Sequence, residues 1–121
     1  MKKKTLKMIA IAIVLAAGLG FALKDKLVPG GEYDDLAKCM TDKGVKMYGA
    51  YWCPHCADQK EDLGSSFKYV TYVECSLPNL GGVTRACLDA GIEAYPTWEF
   101  QDGQQIEGIL SPSELAQKSG C

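Results

Sequence analysis

Two cysteines separated by two residues, Cys53-Pro54-His55-Cys56, are the side chains in this chain best suited to chemistry. A dithiol that swaps with disulfides needs one accessible thiolate and a second sulfur within bonding reach, and this spacing at the start of a helix supplies both. Cys53 is the expected nucleophile, because the free N–H groups and dipole of a first helical turn stabilise negative charge on its sulfur. Cys56, one turn further in and on the buried side, is expected to attack the mixed disulfide and release the product. His55, the chain's one histidine, can add a positive charge or a hydrogen bond beside Cys53. Tyr51 and Trp52, directly before the motif, are expected to flank it as an apolar platform for a peptide substrate.

The same motif could instead be half of a structural zinc site. The remaining cysteines, Cys39, Cys75, Cys87 and Cys121, contain no second close pair, and one histidine cannot complete a Cys2His2 set. Copper held by Cys53, Cys56 and His55 is a second metal reading, since soft thiolates favour Cu(I). Thiol–disulfide exchange itself requires no cofactor, and none is expected.

Positioning such a turn requires a strand leading in and a helix leading out. Val45 to Tyr51 is apolar, β-branched and aromatic and reads as a buried strand interrupted by Gly49. Pro54 suits the first turn of the following helix, where its missing N–H costs nothing, and Cys56, Lys60, Leu63 and Phe67 continue along one face, the lysine snorkelling by its stem. Before them, Tyr33, Leu36, Ala37 and Met40 recur at helical spacing, with Asp34 and Asp35 near the helix start and Gly44 beyond its end. After them, Tyr69 to Cys75 reads as a strand, Thr84 to Ala90 as a short helix ended by Gly91, Thr97 to Gln101 and Gln104 to Leu110 as a hairpin around Asp102-Gly103, and Ser111-Pro112-Ser113-Glu114 as a capping box opening a last helix to about Lys118. The order helix, strand, helix, strand, helix, strand, strand, helix implies an α/β fold with a mixed sheet covered on both faces.

Residues 1–23 have a different character. Lys2, Lys3, Lys4 and Lys7 precede sixteen uncharged residues, Met8 to Leu23, which read as an export signal or a membrane anchor. A helix of that length spans about 24 Å, against a hydrocarbon core of about 30 Å, so length leaves anchor and cleaved signal both open. Small residues fit for cleavage occur at Ala16-Ala17-Gly18 and Gly20-Phe21-Ala22. In either case the lysines stay cytoplasmic and the domain is expected on the outer side. Residues 24–32, with Pro29-Gly30-Gly31, read as a tether, and 33–121 as one domain. Beyond Lys7 nine basic residues face fifteen acidic ones, and no Lys or Arg cluster is present, which argues against a nucleic-acid partner.

The segments Lys46-Met47-Tyr48-Gly49-Ala50-Tyr51-Trp52-Cys53-Pro54-His55-Cys56, Tyr72-Val73-Glu74-Cys75 and Gly91-Ile92-Glu93-Ala94-Tyr95-Pro96-Thr97-Trp98 resemble the thioredoxin-like domain fused to vitamin K epoxide reductase homologues. The resemblance covers residues 33 to 121 and implies a thioredoxin-like fold. It implies that Pro96 is a cis proline facing the cysteines, with the Tyr95 backbone offered to an extended substrate. It pairs Cys75 with Cys87 beside the redox site, which leaves Cys39 and Cys121 to pair by elimination. Against the latter pairing, the first and last helices of this fold usually occupy opposite faces of the sheet. The relatives pass electrons from substrate dithiols to a quinone-reducing membrane bundle. With one possible span in this sequence, such a partner is expected to be a separate polypeptide. Where thioredoxins bury an acid behind the cysteines, this sequence has Met47, so proton handling at Cys56 must differ. The expectation that follows is an extracytoplasmic oxidase of exported protein thiols, with a disulfide reductase or isomerase, or a metal-binding module, as alternatives.

Overall fold

Alternation along the central strand organises the domain. In the computed structural model, which describes residues 30–121, Met47 and Tyr48 are both buried yet belong to different apolar clusters, one on each face of the sheet. The elements are α1 (Asp34–Asp42), β1 (Lys46–Gly49), α2 (Pro54–Leu63), a 3-10 turn (Gly64–Tyr69), β2 (Thr71–Glu74), α3 (Arg85–Ala90), β3 (Thr97–Glu99), β4 (Gln105–Glu107) and α4 (Pro112–Ser119). The expectations for residues 1–23 and for most of the tether fall outside the described residues. Among the described residues no helix is long and apolar enough to cross a membrane.

The sheet order is β2-β1-β3-β4, with β1 parallel to β2 and antiparallel to β3, and β3 antiparallel to β4. Met47 stands opposite Tyr72 on one side and Trp98 on the other, and Trp98 opposite Ile106, so these four side chains form one face. Met40 of α1, Cys56 and Leu63 of α2 and Leu115 of α4 pack with them. The other face carries Tyr48, Cys75 and Cys87, covered by α3. This mixed sheet with helices on both faces fits a thioredoxin-like fold.

The objection to a Cys39–Cys121 pairing does not hold here. Because Met40 and Leu115 belong to one cluster, α1 and α4 share a face, and Cys39 and Cys121 are joined with Cα atoms 6.0 Å apart.

Strand and helix ends differ from the sequence reading for local reasons. β1 stops at Gly49 rather than Tyr51 because the Ala50 carbonyl accepts the Cys53 N–H at 3.1 Å and turns the chain toward α2. β4 stops at Glu107 rather than Leu110 because Gly108, at φ 101°, leaves the extended region and donates its N–H to the Pro96 carbonyl. α2 ends at Leu63, so Phe67 lies in the 3-10 turn rather than on the helix. The inward position on α2 is taken by Gln59, not Lys60. Its Oε1 accepts from Trp98 Nε1 at 2.9 Å and from the Leu110 N–H at 2.8 Å, while its Nε2 donates to the Leu110 carbonyl at 2.9 Å. With both of its polar atoms hydrogen-bonded, the buried amide offsets much of its desolvation cost and fixes α2 to β3 and to the approach to α4. The Ser111–Glu114 capping box is present in full at the start of α4.

Candidate functional site

Cys53 is the N-cap of α2, in an extended conformation, with Pro54 at the first helical position. The Cys56 backbone N–H, one of the donors that a first turn leaves without a helical partner, points at Cys53 Sγ at 3.3 Å. The Cys53 thiol donates to the Tyr95 carbonyl at 3.7 Å, and the Tyr95–Pro96 peptide bond is cis. The residues that sequence reasoning singled out at positions 53, 56, 95 and 96 thus converge, although β3 is separated from α2 along the chain. Both thiols are free and both are buried, Cys53 with 6% and Cys56 with 1% of its surface exposed, so Cys53 is less accessible than the sequence reading expects. Burial foremost, then the hydrogen bond with Cys53, pushes the Cys56 thiol well above the ordinary thiol range. The Ala50 backbone and the Lys60 ammonium act in the opposite direction. We expect iodoacetamide at about pH 6 to label Cys53 of the reduced protein about tenfold faster than Cys56, read by peptide mapping; preferential labelling of Cys56 would reverse the two roles.

His55 points away from the dithiol. Its side chain is 73% exposed and its Nδ1 stands 4.0 Å from Asp58 Oδ2, and among the described residues no hydrogen bond joins it to Cys53. Trp52, half exposed, is held upright by two contacts: Nε1 donates to Ser76 Oγ at 2.9 Å, and the ring meets Tyr95 edge-to-face at 6.0 Å. Tyr51, also half exposed, accepts the Leu80 N–H on its hydroxyl at 3.1 Å.

Those partners belong to a loop whose role the sequence did not disclose. Leu77 N–H donates to the Gly82 carbonyl at 2.8 Å and Ser76 bridges to Val83, closing a small hairpin beside the site. The Cys75–Cys87 disulfide fastens its base to α3. Asn79 and Leu80 both adopt φ near 57°, a costly conformation for residues with a β-carbon, and Leu80 is 69% exposed. Between this hairpin, Trp52 and Tyr95 is a recess of about 220 Å³. Nothing in the sequence marks Ser76, Leu80 or Val83 as neighbours of the dithiol turn. A larger cleft, about 690 Å³, opens between α1 and the start of α4 around Cys39–Cys121 and contains none of the dithiol residues.

Among the described residues no three His, Cys, Asp or Glu side chains cluster as a metal-ligand set. The arrangement suits sulfur exchange: a thiol at a helix start approached by a backbone N–H, a second thiol directly behind it, and the half-exposed rings of Tyr51 and Trp52 beside them.

No family model matches this chain. It is 42% identical over 89 residues to the thiol-disulfide oxidoreductase LTO1 of Arabidopsis thaliana, an alignment that takes in 70% of this chain and 23% of that protein. The chain therefore spans less than a quarter of the relative it matches. The similarity supports a thioredoxin-like domain with a redox function.

Proposed function

We propose that this domain is an extracytoplasmic thiol–disulfide oxidoreductase that oxidises the dithiols of exported proteins and passes the electrons to a separate membrane quinone reductase of the vitamin K epoxide reductase type. The observation that carries the exchange chemistry is the Cys56 N–H at 3.3 Å from Cys53 Sγ at the start of α2. In the oxidising direction a substrate thiolate attacks Cys53 of the Cys53–Cys56 disulfide. The intramolecular S–S bond breaks, a mixed disulfide forms, and Cys56 leaves as a thiolate that takes up a proton. The second substrate thiolate then attacks the substrate sulfur of the mixed disulfide, releasing an oxidised substrate and a Cys53 thiolate. Two electrons have entered the domain and must be withdrawn by an acceptor. The Lys-rich start and apolar run Met8 to Leu23 favour an outward-facing domain held at, or exported across, a membrane.

Direction follows from which redox form is stabilised. Only the reduced form carries a thiolate on Cys53, so the helix-start N–H makes the disulfide a stronger oxidant. Known dithiol proteins range from about -270 mV for thioredoxin to about -120 mV for the most oxidising. Equilibration with glutathione at pH 7 is expected to give a potential above about -200 mV, and replacement of His55 with Gly to lower it. A value near that of thioredoxin, unchanged in His55→Gly, points to a reductase instead.

A further inference from the structure

Cys56 exchanges a proton in every turnover, yet no acid stands directly beneath it. Met47 of β1, which packs in the same cluster as Cys56, is apolar and fully buried. What borders Cys56 is Gly49 and, reaching over Gly49 from β2, the side chain of Tyr72, whose own partner in the register is Met47. A β-carbon placed on Gly49 would stand 3.1 Å from Cys56 Sγ, 3.2 Å from Tyr72 Oη and 2.9 Å from Tyr72 Cε2. The thiol and the phenol therefore border one small space that exists because residue 49 has no side chain. The Tyr72 hydroxyl in turn donates to Glu74 Oε1 at 3.3 Å, and the other carboxylate oxygen of Glu74 accepts the Ser76 N–H at 3.1 Å. Glu74 is half buried at the end of β2 and in reach of solvent.

Building on the redox function proposed above, we infer that Tyr72 and Glu74 form the proton path of Cys56. In the reduced protein the Cys56 thiol, the Tyr72 hydroxyl and the Glu74 carboxylate stand in series. When Cys56 becomes a nucleophile, its proton passes to Tyr72 Oη as the Tyr72 proton passes to Glu74, leaving a thiolate, a neutral phenol and a carboxylic acid that returns the proton to water. When Cys56 is the leaving group the same steps run backward, and water supplies the proton through Glu74. Among the described residues no direct hydrogen bond joins Cys56 Sγ to Tyr72 Oη, so the path includes one water between them, in the space beside Gly49.

The charges around the pair favour this path. Lys60 Nζ sits 4.3 Å from the centre of the Tyr72 ring and offsets the negative charge that forms on Cys56. The other titratable groups facing the pair are Cys53 on α2 and Glu74 on β2, while β1 and the 3-10 turn present Met47, Gly49 and Phe67. A thiol held well above its ordinary range is a poor leaving group as a bare thiolate, so a positioned acid has a large effect on its departure.

Tyr72→Phe removes the hydroxyl while keeping the ring against Phe67 and Lys60. Reduction of the oxidised protein by dithiothreitol, followed by stopped flow from about pH 5 to 9, is expected to slow about a hundredfold in this variant and to lose its solvent deuterium isotope effect. Glu74→Gln is expected to act alike, the double variant to be no slower than either single one, and Glu74→Asp to recover part of the rate. An unchanged pH profile in Tyr72→Phe and Glu74→Gln, or rates that follow thermal stability alone, would overturn the path. A wild-type protein whose Cys53–Cys56 disulfide dithiothreitol does not reduce would overturn the redox function itself, a different result from a wild type that reacts and variants that match it.

Discussion

Replacing Cys56 with Ser is expected to stop turnover and to leave Cys53 covalently attached to its substrate. With Cys56 present, the sulfur that resolves the mixed disulfide is buried directly behind Cys53, tied to it by the 3.3 Å contact between the Cys56 N–H and Cys53 Sγ. Its effective concentration there far exceeds that of any external thiol, so the mixed disulfide decays as soon as it forms. A serine at this position keeps the backbone N–H and the helix start but cannot attack sulfur. Exchange activity is expected to fall at least about a thousandfold, on the scale seen when a covalent nucleophile is removed. When the reduced variant is mixed with a disulfide-containing protein, a complex stable without reductant and dissolved by dithiothreitol should accumulate. Cys53→Ser should lose activity equally and trap nothing. Trapping by Cys53→Ser with none by Cys56→Ser would exchange the roles of the two cysteines.

How much of this arrangement was legible beforehand depended on whether the signal was local. The Cys53–Cys56 turn, the capping box at Ser111 and the helix end at Gly91 are each written in a few consecutive residues, and each was read at its place. The meeting of Cys53 with Tyr95 and Pro96 spans some forty residues and was available only through resemblance to a known domain, because no periodicity in one segment reveals what faces it across a sheet. The Tyr72–Glu74 pair illustrates the same limit. Two residues apart on a strand, Tyr72 and Glu74 share a face, but a face that mixes aromatic and acidic groups is oriented only by the pairing of β2 with β1 in the register Met47 to Tyr72. Gln59 was missed for a related reason. A glutamine three residues after Cys56 looks solvent-facing unless the Trp98 indole and the Leu110 backbone that satisfy it are known to stand there.

The Cys39–Cys121 bridge closes a span of 82 residues, and its removal is expected to cause the largest loss of stability available from any pair of substitutions outside the core. In the folded state the segment around Cys121 is held independently: Lys43 Nζ donates to the Ser119 and Gly120 carbonyls at 3.1 and 3.0 Å, Gln101 Nε2 donates to the Ser119 carbonyl at 2.9 Å, and the Cys121 N–H donates to the Ala116 carbonyl at 3.0 Å. Breaking the bridge therefore leaves the native contacts largely in place, and its effect falls on the unfolded chain, which regains the freedom that the cross-link withheld. On the chain-entropy relation a loop of this length corresponds to about 4.5 kcal/mol, against about 3 kcal/mol for the 12-residue span of Cys75–Cys87. Small domains hold only about 5–15 kcal/mol in total, so the Cys39→Ala, Cys121→Ala double variant should remain folded at room temperature but melt about 20 °C lower. Guanidinium titration of the two forms, with Cys53–Cys56 oxidised in both, measures the difference. The potential of the Cys53–Cys56 couple should be unchanged, since the cleft around Cys39–Cys121 contains none of the dithiol residues. A double variant as stable as the parent would mean that the bridge places no constraint on the unfolded chain, whereas one that loses both stability and redox potential would tie α1 and α4 to the active turn.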